Sequence, residues 1–323
     1  MEKWMSNIPD NKKLVLINIP GTHDSCAFHM NRLGSDFATT QYYNIKQQLE
    51  IGIRKIDIRI TSRYKLQEID EDIITCHGMC DCYVSSKFGD MRKLTYKSVL
   101  LDVREFLEKN PTETVMIGTY KGRGDIRNLI RSNEIFQKYV GDIAIKYNEN
   151  LLLGDVRGKI IILTEYINEG NIKGSQLINR DLIIGTGIDD VHKRYYNCKT
   201  FKINGNAKVL EMKDMFTKYN MTLQQAEIAE QNKNIQFPIS YSISCTGEHD
   251  ICLPFPITQA SYVLPFLLKS GVLKNGYYYG WLNMDFAYLE VTSKFIATNF
   301  YYPINWNLSL LLALRCLVYD QYS

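Results

Sequence analysis

Residues 54–60 read Arg54-Lys55-Ile56-Asp57-Ile58-Arg59-Ile60, a stretch in which apolar and charged side chains alternate. Alternation with a period of two predicts a β-strand, because successive side chains of a strand point to opposite faces of its sheet. Asp57 and Arg59 are two positions apart, so both side chains point to the same face. The stretch therefore predicts a strand that presents an acidic and a basic group side by side.

Short apolar runs that end at Pro, Gly or polar residues predict further strands. They are Leu14–Ile19, Ile73–Cys76, Thr114–Tyr120, Lys159–Tyr166, Leu182–Thr186 or a neighbour, Phe237–Ser244 and Tyr277–Phe286. Helical patterns lie between them, most clearly from about Tyr96 to Lys109, and others include residues 266–268 and 308–317. Asn110-Pro111 ends the clearest helix, because proline cannot continue it. This alternation is typical of parallel βα units, so we predict an α/β fold, a single distorted (β/α)8 TIM-like barrel.

The composition of the chain is that of one globular domain. Of its 323 residues, 45% are hydrophobic and 23% are charged, and no repeat or linker interrupts them, so we predict a single domain over 1–323. The net charge of +3, from 38 basic and 35 acidic residues, gives no reason to expect a nucleic-acid partner. No apolar run reaches about 18 residues, so no transmembrane helix is predicted. Met1–Met5 lacks the apolar region of a signal peptide, so no leader can be read there.

The eight cysteines give a further set of predictions. A chain of this length does not need disulfides to hold a core, so most of the cysteines are predicted to be reduced and buried. Cys76, Cys80 and Cys82 surround His77, and a cluster of cysteine and histidine can bind zinc. We favour ordinary loop thiols, because no second C-x-x-C pair completes a tetrahedral set of ligands.

Polar residues occur where the predicted strands end, which is where barrels of this class place their chemistry. These residues are His23 and Asp24 after the first strand, Asp57 and Arg59 on the second, His77 after the third, Glu165 at the end of the fifth and Asp285 on the last. Each residue alone has a plain structural interpretation. Two histidines, a basic residue and several carboxylates together are a plausible acid–base site, although their spacing does not name a reaction.

Several segments resemble one family of enzymes, the bacterial phosphatidylinositol-specific phospholipases C, which share an X-type catalytic domain. The resembling segments are Ile19-Pro20-Gly21-Thr22-His23-Asp24-Ser25, Gly52-Ile53-Arg54-Lys55-Ile56-Asp57-Ile58-Arg59, His77-Gly78, residues 107–114 and residues 154–160. The likeness is dense from residue 3 to about residue 166, and it returns at Gly280-Trp281 and Asp285. We know of no other family that combines these segments in this order.

The resemblance implies a phosphatidylinositol diacylglycerol-lyase. The inositol 2-hydroxyl attacks the phosphorus, which releases diacylglycerol and gives 1,2-cyclic inositol phosphate. By resemblance, His23 is the general base and is held by Asp285, whereas His77 is the general acid and is supported by Asp24. Histidine suits both roles because its ordinary pKa of about 6.5 lies near the working pH.

Arg59 is the most informative residue of this comparison. In the resembling animal enzymes an acidic residue at this position helps to bind calcium, whereas the bacterial enzymes have an arginine. A guanidinium offers a fork of donors for phosphate oxygens, and its same-face partner Asp57 can fix the direction of that fork. We therefore predict no metal and no cofactor.

The chain departs from the family pattern at the residues expected to bind substrate. Tyr120 stands where the pattern has a lysine, Glu165 where it has an arginine, and Phe216, preceded by Asp214, where it has a tyrosine that stacks on inositol. Two alternatives stay open: a related phosphodiesterase that acts on glycosylphosphatidylinositol or another phosphodiester, and a catalytically dead barrel that binds phosphoinositides.

The substrate implies contact with a membrane. Cys252-Leu253-Pro254-Phe255-Pro256-Ile257 is an apolar, proline-rich segment, predicted to be non-helical and either a loop that contacts the membrane or a segment buried under helices. The expected partner is phosphatidylinositol in membranes, with no nucleic acid and no known protein partner. The resemblance implies a secreted, membrane-peripheral protein.

Overall fold

The computed structural model describes residues 1–30, 38–62, 70–85, 92–122, 127–148, 150–163, 165–168, 175–178, 230, 240–243 and 256–301. Asp214, Phe216, the predicted strand at Leu182–Thr186 and the predicted helix at 308–317 lie outside these residues. The predicted membrane loop also lies outside them as far as residue 255.

A mostly parallel sheet forms the centre of the fold. Its strands are β1 (Ile19–Thr22), β2 (Lys55–Ser62), β3 (Ile73–His77), β4 (Cys80–Asp81), β5 (Val115–Lys121), β6 (Ala144–Lys146), β7 (Ile160–Ile162), β10 (Ser240–Ile243) and β11 (Trp281–Met284). Seven of them are parallel neighbours in the order β10-β11-β1-β2-β5-β7-β6. A separate antiparallel pair consists of β8 (Glu165–Asn168) and β9 (Ser175–Ile178). Among the described residues, no pairing joins β6 to β10.

Helices cover this sheet. They are α1 (Ile45–Glu50), α2 (Tyr96–Lys109), α3 (Arg127–Val140), α4 (Leu153–Val156), α5 (Pro256–Lys269) and α6 (Leu289–Ala297). The helix predicted at Tyr96–Lys109 is confirmed, and the side chain of Thr95 caps it by accepting a hydrogen bond from the Ser98 amide at 3.2 Å. None of the helices within the described ranges combines the length and the hydropathy of a membrane-spanning segment.

The sheet has two apolar faces with different partners. On its outer face, Ile56, Ile58 and Ile60 of β2 pack with residues of α2 and α3 in one hydrophobic cluster. On its inner face, Ile19 of β1 and Trp281 of β11 belong to a second cluster, which also contains Met116, Ile161, Trp4, Met5 and Leu14. The N-terminal segment therefore closes the inner face at the end where the strands begin.

Above this apolar layer the inner face becomes polar. Ile19 pairs in register with Trp281, and Gly21 pairs with both Asn283 and Lys55. Because side chains alternate along a strand, the inner face carries successive layers toward the carboxyl ends of the strands. Along β1 the residues of these layers are Ile19 and Gly21, followed by His23 just after the strand. Along β2 they are Lys55, Asp57 and Arg59, and along β11 they are Trp281 and Asn283, followed by Asp285 just after the strand.

Several predicted elements are wrong in extent or direction. Leu14–Ile19 is not a strand, because Leu14–Leu16 forms a 3-10 helix and the strand begins at Ile19. The run Lys159–Tyr166 divides into β7 and β8, so Glu165 does not end the fifth strand of the central sheet. Pro256 and Ile257 of the predicted membrane loop are the first residues of α5.

The direction of β3 also differs from the expected parallel unit. β3 pairs antiparallel with β2, with Ile60 opposite Thr75 and Ser62 opposite Ile73. A parallel crossover needs a dozen or more residues, whereas only residues 63–72 connect these strands.

Candidate active site

The polar residues singled out in the sequence meet at the carboxyl ends of β1, β2, β3 and β11. His23 and Asp24 follow β1 directly, Asp57 and Arg59 lie within β2, and His77 is the last residue of β3. Asp285 follows β11. His23, Asp24, His77 and Asp285 therefore lie at strand ends as predicted, and Asp57 and Arg59 lie on the second strand as predicted.

His23 is held by a buried carboxylate. Its Nδ1 lies 3.0 Å from Asp285 Oδ1, and the two residues are 7% and 1% exposed. Since a carboxylate accepts hydrogen bonds, this contact places a proton on Nδ1. It also orients the ring so that Nε2 points away from Asp285. There, Nε2 lies 3.2 Å from Asp24 Oδ2 and 2.9 Å from Arg59 Nη2.

Asp24 connects the two histidines and the arginine. Its Oδ2 is 3.0 Å from His77 Nε2, and its Oδ1 is 2.5 Å from Arg59 Nε. The backbone of Asp24 has a φ of 43°, in the left-handed region that few residues other than glycine adopt. Aspartate tolerates this region better than most residues, and the turn brings its carboxylate back between the strand ends.

His77 is oriented by the backbone of a neighbouring segment. Its Nδ1 donates a hydrogen bond to the carbonyl oxygen of Ala38 at 2.7 Å, so Nε2 faces Asp24. The ring centroids of His23 and His77 are 6.1 Å apart. Two histidines at this separation, with a carboxylate between them, could flank one small reacting group.

Arg59 and Asp57 lie beside Asp24 on the inner face of β2. Arg59 Nη2 is 3.9 Å from Asp57 Oδ2, which accepts a hydrogen bond from the Asp24 amide at 3.3 Å. The amide of Asp57 donates to Ser25 Oγ at 2.8 Å. The second carboxylate oxygen, Asp57 Oδ1, is buried and has no hydrogen-bond partner among the described residues.

The comparisons with known proteins agree with this geometry. No family model matches the chain. It is 26% identical to a 1-phosphatidylinositol phosphodiesterase of Staphylococcus aureus (strain Newman), over 92% of this chain and 94% of that protein. A solved phosphatidylinositol-specific phospholipase C from Listeria monocytogenes superposes with a TM-score of 0.63 at 24% identity, over 92% of this chain and 98% of that one. Over nearly its whole length the chain is thus similar to bacterial phosphatidylinositol-specific phospholipases C. The predicted α/β fold, a distorted TIM-like barrel, is thereby confirmed.

The charged groups of this site shift one another's pKa values. Burial acts to lower the pKa of His23, but the carboxylates of Asp24 and Asp285 outweigh it and raise the pKa to about 9. Burial likewise opposes the net rise in the pKa of His77, which Asp24 causes. Burial acts to raise the pKa of Asp24, but Arg59 and the two histidines hold it well below its usual value.

Asp57 is shifted in the opposite direction. Burial, together with the neighbouring carboxylate of Asp24, raises its pKa, although Arg59 counteracts both. The pKa values of the two carboxyl groups therefore shift in opposite directions. Asp24 contacts His23, His77 and Arg59, whereas Asp57 lies 3.9 Å from the Nη2 of Arg59.

One group of residues has the spacing of a cation site. Ligand atoms of His23, Asp24 and Asp57 lie within 4.8 Å of one another. The Arg59 guanidinium, however, contacts both Asp24 and His23, and so its positive charge already faces these ligand atoms. In the described part of the chain, Cys76, Cys80 and Cys82 are not in such a group. These three and Cys26 carry thiols rather than disulfides, and all except Cys80 are buried.

The residues predicted to bind substrate are only partly placed. Tyr120 lies on β5 opposite Arg59, and its ring leans over Gly118, where a Cβ would stand 2.7 Å from the tyrosine hydroxyl. Glu165 lies in the hairpin β8-β9, away from the central sheet order. Asp214 and Phe216 are outside the described residues.

One inner-face residue was not selected from the sequence. Lys55 precedes Asp57 by two positions and is 7% exposed. The same alternation that selected Asp57 and Arg59 places it on their face, and a lysine at the start of a buried strand is the signal that could have identified it.

Proposed function

We propose that this chain is a phosphatidylinositol-specific phospholipase C that cleaves phosphatidylinositol to diacylglycerol and 1,2-cyclic inositol phosphate without a metal ion. The observation that carries the proposal is the contact of Asp24 with His23, His77 and Arg59, while Asp285 holds His23 from behind. This arrangement offers a base, an acid and a fixed positive charge around one phosphodiester.

His23 acts as the general base. The inositol 2-hydroxyl transfers its proton to Nε2 as its oxygen forms the new bond to phosphorus. Nε2 must first be unprotonated, a form that the guanidinium N–H of Arg59 at 2.9 Å favours. Because the pKa of His23 is raised to about 9, only a minor fraction of the resting protein has this form at neutral pH, and this fraction grows as the pH rises. Asp285, at 3.0 Å from Nδ1, then stabilises the imidazolium that results.

His77 acts as the general acid on the opposite side. It donates the proton of Nε2 to the glycerol oxygen as the bond between that oxygen and phosphorus breaks. Burial acts to lower the pKa of His77, but Asp24 outweighs it and raises the pKa, which favours the protonated form that an acid needs. The cycle ends when the proton taken up by His23 is returned to solvent and His77 is protonated again.

Arg59 supplies the positive charge for the phosphate. Its guanidinium is 30% exposed at the side chain, whereas its partner Asp24 is 1% exposed, so part of the fork of donors is open to a ligand. A fixed cation beside the phosphorus stabilises the charge that grows on the oxygens in the transition state.

Contact with a lipid surface is supported by two exposed apolar side chains at the mouth of the site, which we call the rim residues Tyr42 and Met79. Met79 follows His77-Gly78 and is 83% exposed. Tyr42 is 48% exposed and its ring packs against Phe286, the residue after Asp285. Both therefore lie next to residues of the site, where the lipid must enter.

Phosphorus NMR on phosphatidylinositol vesicles tests the reaction. We expect a signal of the cyclic phosphodiester to appear before any inositol monophosphate. His23→Ala and His77→Ala should each reduce its rate by about 10²–10⁴-fold. Absence of the cyclic product with the wild-type protein, or folded variants that retain more than a tenth of its rate, would contradict the proposal.

A chelator tests the metal-independent part separately. Wild-type activity should be unchanged in excess EGTA, because Arg59 takes the place of a cation. Arg59→Asp should lose several orders of magnitude, and added calcium should partly restore it by replacing the lost charge. Loss of wild-type activity in EGTA that calcium reverses would show that Arg59 is not the surrogate.

Tyr120 is a residue that could determine which lipid head group the enzyme accepts. Its partly exposed ring stands opposite Arg59, where the family pattern has a lysine. A neutral ring at this position favours a bulkier or less anionic head group, such as a glycosylated phosphatidylinositol. Comparing initial rates on phosphatidylinositol and on glycosylphosphatidylinositol in the same micelles decides between the two.

A further inference from the structure

Lys55 is a buried cation directly beneath the site. It is the first residue of β2, it is 7% exposed, and it shares the inner face with Asp57 and Arg59. Its Nζ donates a hydrogen bond to Asn283 Oδ1 at 3.0 Å. Asn283 precedes Asp285 by two positions on the same face of β11, so this bond joins the two strands that hold Arg59 and the partner of His23.

Gly21 makes room for this bond. It lies on β1 between the two strands, in register with both Lys55 and Asn283. A Cβ at Gly21 would stand 2.6 Å from Asn283 Oδ1 and 2.9 Å from Lys55 Cβ, closer than real Cβ atoms come to such neighbours. A glycine at this position is therefore required for the lysine side chain to cross the inner face.

An ammonium group is costly to bury unless a nearby charge compensates it. The next inner-face residue on the same strand is Asp57, and its carboxylate acts to raise the pKa of Lys55 against the effect of burial, which lowers it to about 8. Asp57 in turn has a buried oxygen to which no group in the described part of the chain donates a hydrogen bond. Each group thus reduces the cost of burying the other.

The charged groups around Asp57 act on its ionisation in both directions, and Lys55 favours the ionised form. On β1, the carboxylate of Asp24 opposes ionisation of Asp57, whereas His23 in its charged form supports it. On its own strand Arg59 supports ionisation from 3.9 Å. Asp285 lies behind His23, and Tyr120 faces Arg59 from β5. Lys55 is the cation on the floor of this group, on the side away from the substrate.

We propose that Lys55 is a positioning residue of the phospholipase reaction, whose ammonium keeps Asp57 ionised so that Asp57 directs the Arg59 guanidinium toward the phosphodiester. The inference rests on the proposed function and assigns to that site a residue that does not touch the substrate. Without Lys55, burial and the charge of Asp24 protonate Asp57 more readily, and Arg59 loses the weaker of its two carboxylate contacts.

A double-mutant cycle tests the route through Asp57. Lys55→Met keeps the length of the side chain and removes its charge, and should lower kcat on micellar phosphatidylinositol about tenfold while KM changes less than about twofold. In an Asp57→Asn background the same substitution should cost less than about twofold, because the carboxylate on which Lys55 acts is gone. Equal losses in both backgrounds would mean a structural role through Asn283, and no loss in either would mean no role; both outcomes overturn the proposal.

A readout without turnover separates this inference from the proposed function. Carbon-13 NMR of labelled aspartate carboxyls, with Asp57→Asn to assign the signal, should give a pKa for Asp57 that rises by about one unit or more in Lys55→Met. An unchanged pKa overturns the inference even in an active enzyme, whereas a shifted pKa in a protein that fails to cleave phosphatidylinositol leaves the electrostatic link intact and refutes the function. Urea unfolding confirms that the variants are folded, and Lys55→Gln serves as the second charge-free variant.

Discussion

At the scale of single residues, the site depends on one strained position. Asp24 adopts a φ of 43° and from there reaches both histidines and Arg59. Few side chains accept this backbone conformation, and among them only aspartate also carries the negative charge that three cationic neighbours require. Conformation and charge can therefore be tested separately at this residue.

Asp24→Asn keeps a residue that tolerates the left-handed region and removes the charge. We expect kcat to fall by about 10²–10⁴-fold, because His77 loses the carboxylate that holds its proton and Arg59 loses its closest partner. The free energy of unfolding should change less than in Asp24→Ala, which loses the hydrogen-bonding side chain as well. Rates and urea unfolding of the three proteins check this, and an active Asp24→Asn would remove Asp24 from the mechanism.

The raised pKa of His23 has a consequence for stability. Burial alone would lower this pKa, but Asp24 and Asp285 raise it to about 9, against about 6.5 in the unfolded chain. Between these values the folded protein holds a proton that the unfolded chain has lost. The contribution of His23 to stability is therefore complete below about pH 6.5 and is lost as the pH rises toward 9.

From pH 6.5 to 8, the contribution of His23 to the free energy of unfolding should fall by about 1.5 kcal/mol. Burial of Lys55, whose pKa is lowered to about 8, adds a smaller change of the opposite sign at the upper end of this range. Comparison with His23→Asn removes that effect, because both proteins contain Lys55. Urea unfolding at several pH values measures the difference between the two proteins, and a difference that does not shrink with rising pH would mean that His23 is neutral in the folded state.

At the scale of elements, the ends of the strands and the turns beside them shape the mouth of the site. The turn between β3 and β4 carries His77 toward Asp24 and leaves Met79 in solvent. Burial of this methionine in a lipid surface would be favourable, and the proposed substrate brings such a surface to the site.

Met79→Asp should weaken binding to phosphatidylinositol vesicles by about tenfold, because burial of a methionine side chain is worth about 1.5–3 kcal/mol. The rate on a monomeric, short-chain substrate should stay near that of wild type, since Met79 touches none of the reacting groups. Val84→Asp, at another exposed apolar residue that is 41% exposed, is the matched control. A vesicle affinity that Met79→Asp leaves unaltered would place the membrane contact elsewhere.

At the scale of the whole molecule, a buried ion pair fastens the N-terminal segment to the closed end of the sheet. Arg54 and Glu113 are both fully buried and their side chains are 2.9 Å apart. Glu113 accepts a hydrogen bond from the Met5 amide at 3.1 Å, and Arg54 donates one to the carbonyl of Glu2 at 2.6 Å. This pair lies at the end of the sheet opposite to the catalytic groups.

Arg54→Met should reduce the free energy of unfolding by about 3–5 kcal/mol, because Glu113 is then left buried with its charge uncompensated. The double variant Arg54→Met with Glu113→Gln should be more stable than Arg54→Met alone. Urea unfolding near neutral pH measures both. Equal stability of the single and double variants would mean that packing of the arginine stem, and not charge, holds the segment.

The sequence alone determined which residues face the site but not how they touch. The period of two in residues 54–60 and the polar residues at strand ends placed Asp57, Arg59, His23, His77 and Asp285 correctly, because side-chain alternation is a local property of any strand. The amphipathic pattern of Tyr96–Lys109 located its helix for the same reason.

Other features depend on contacts between distant parts of the chain. The sequence of Leu14–Leu16 predicts part of a strand, but the segment forms a 3-10 helix whose Leu14 packs in the second hydrophobic cluster. An apolar segment can be buried there as a helix or as a strand, so hydrophobicity alone does not distinguish them. The Lys55–Asn283 bond joins residues that are 228 positions apart, and it exists because β1 brings a glycine between them. Local periodicity fixes the face on which a side chain lies, whereas the order of strands around the sheet fixes its neighbours, and that order follows from burial over the entire chain.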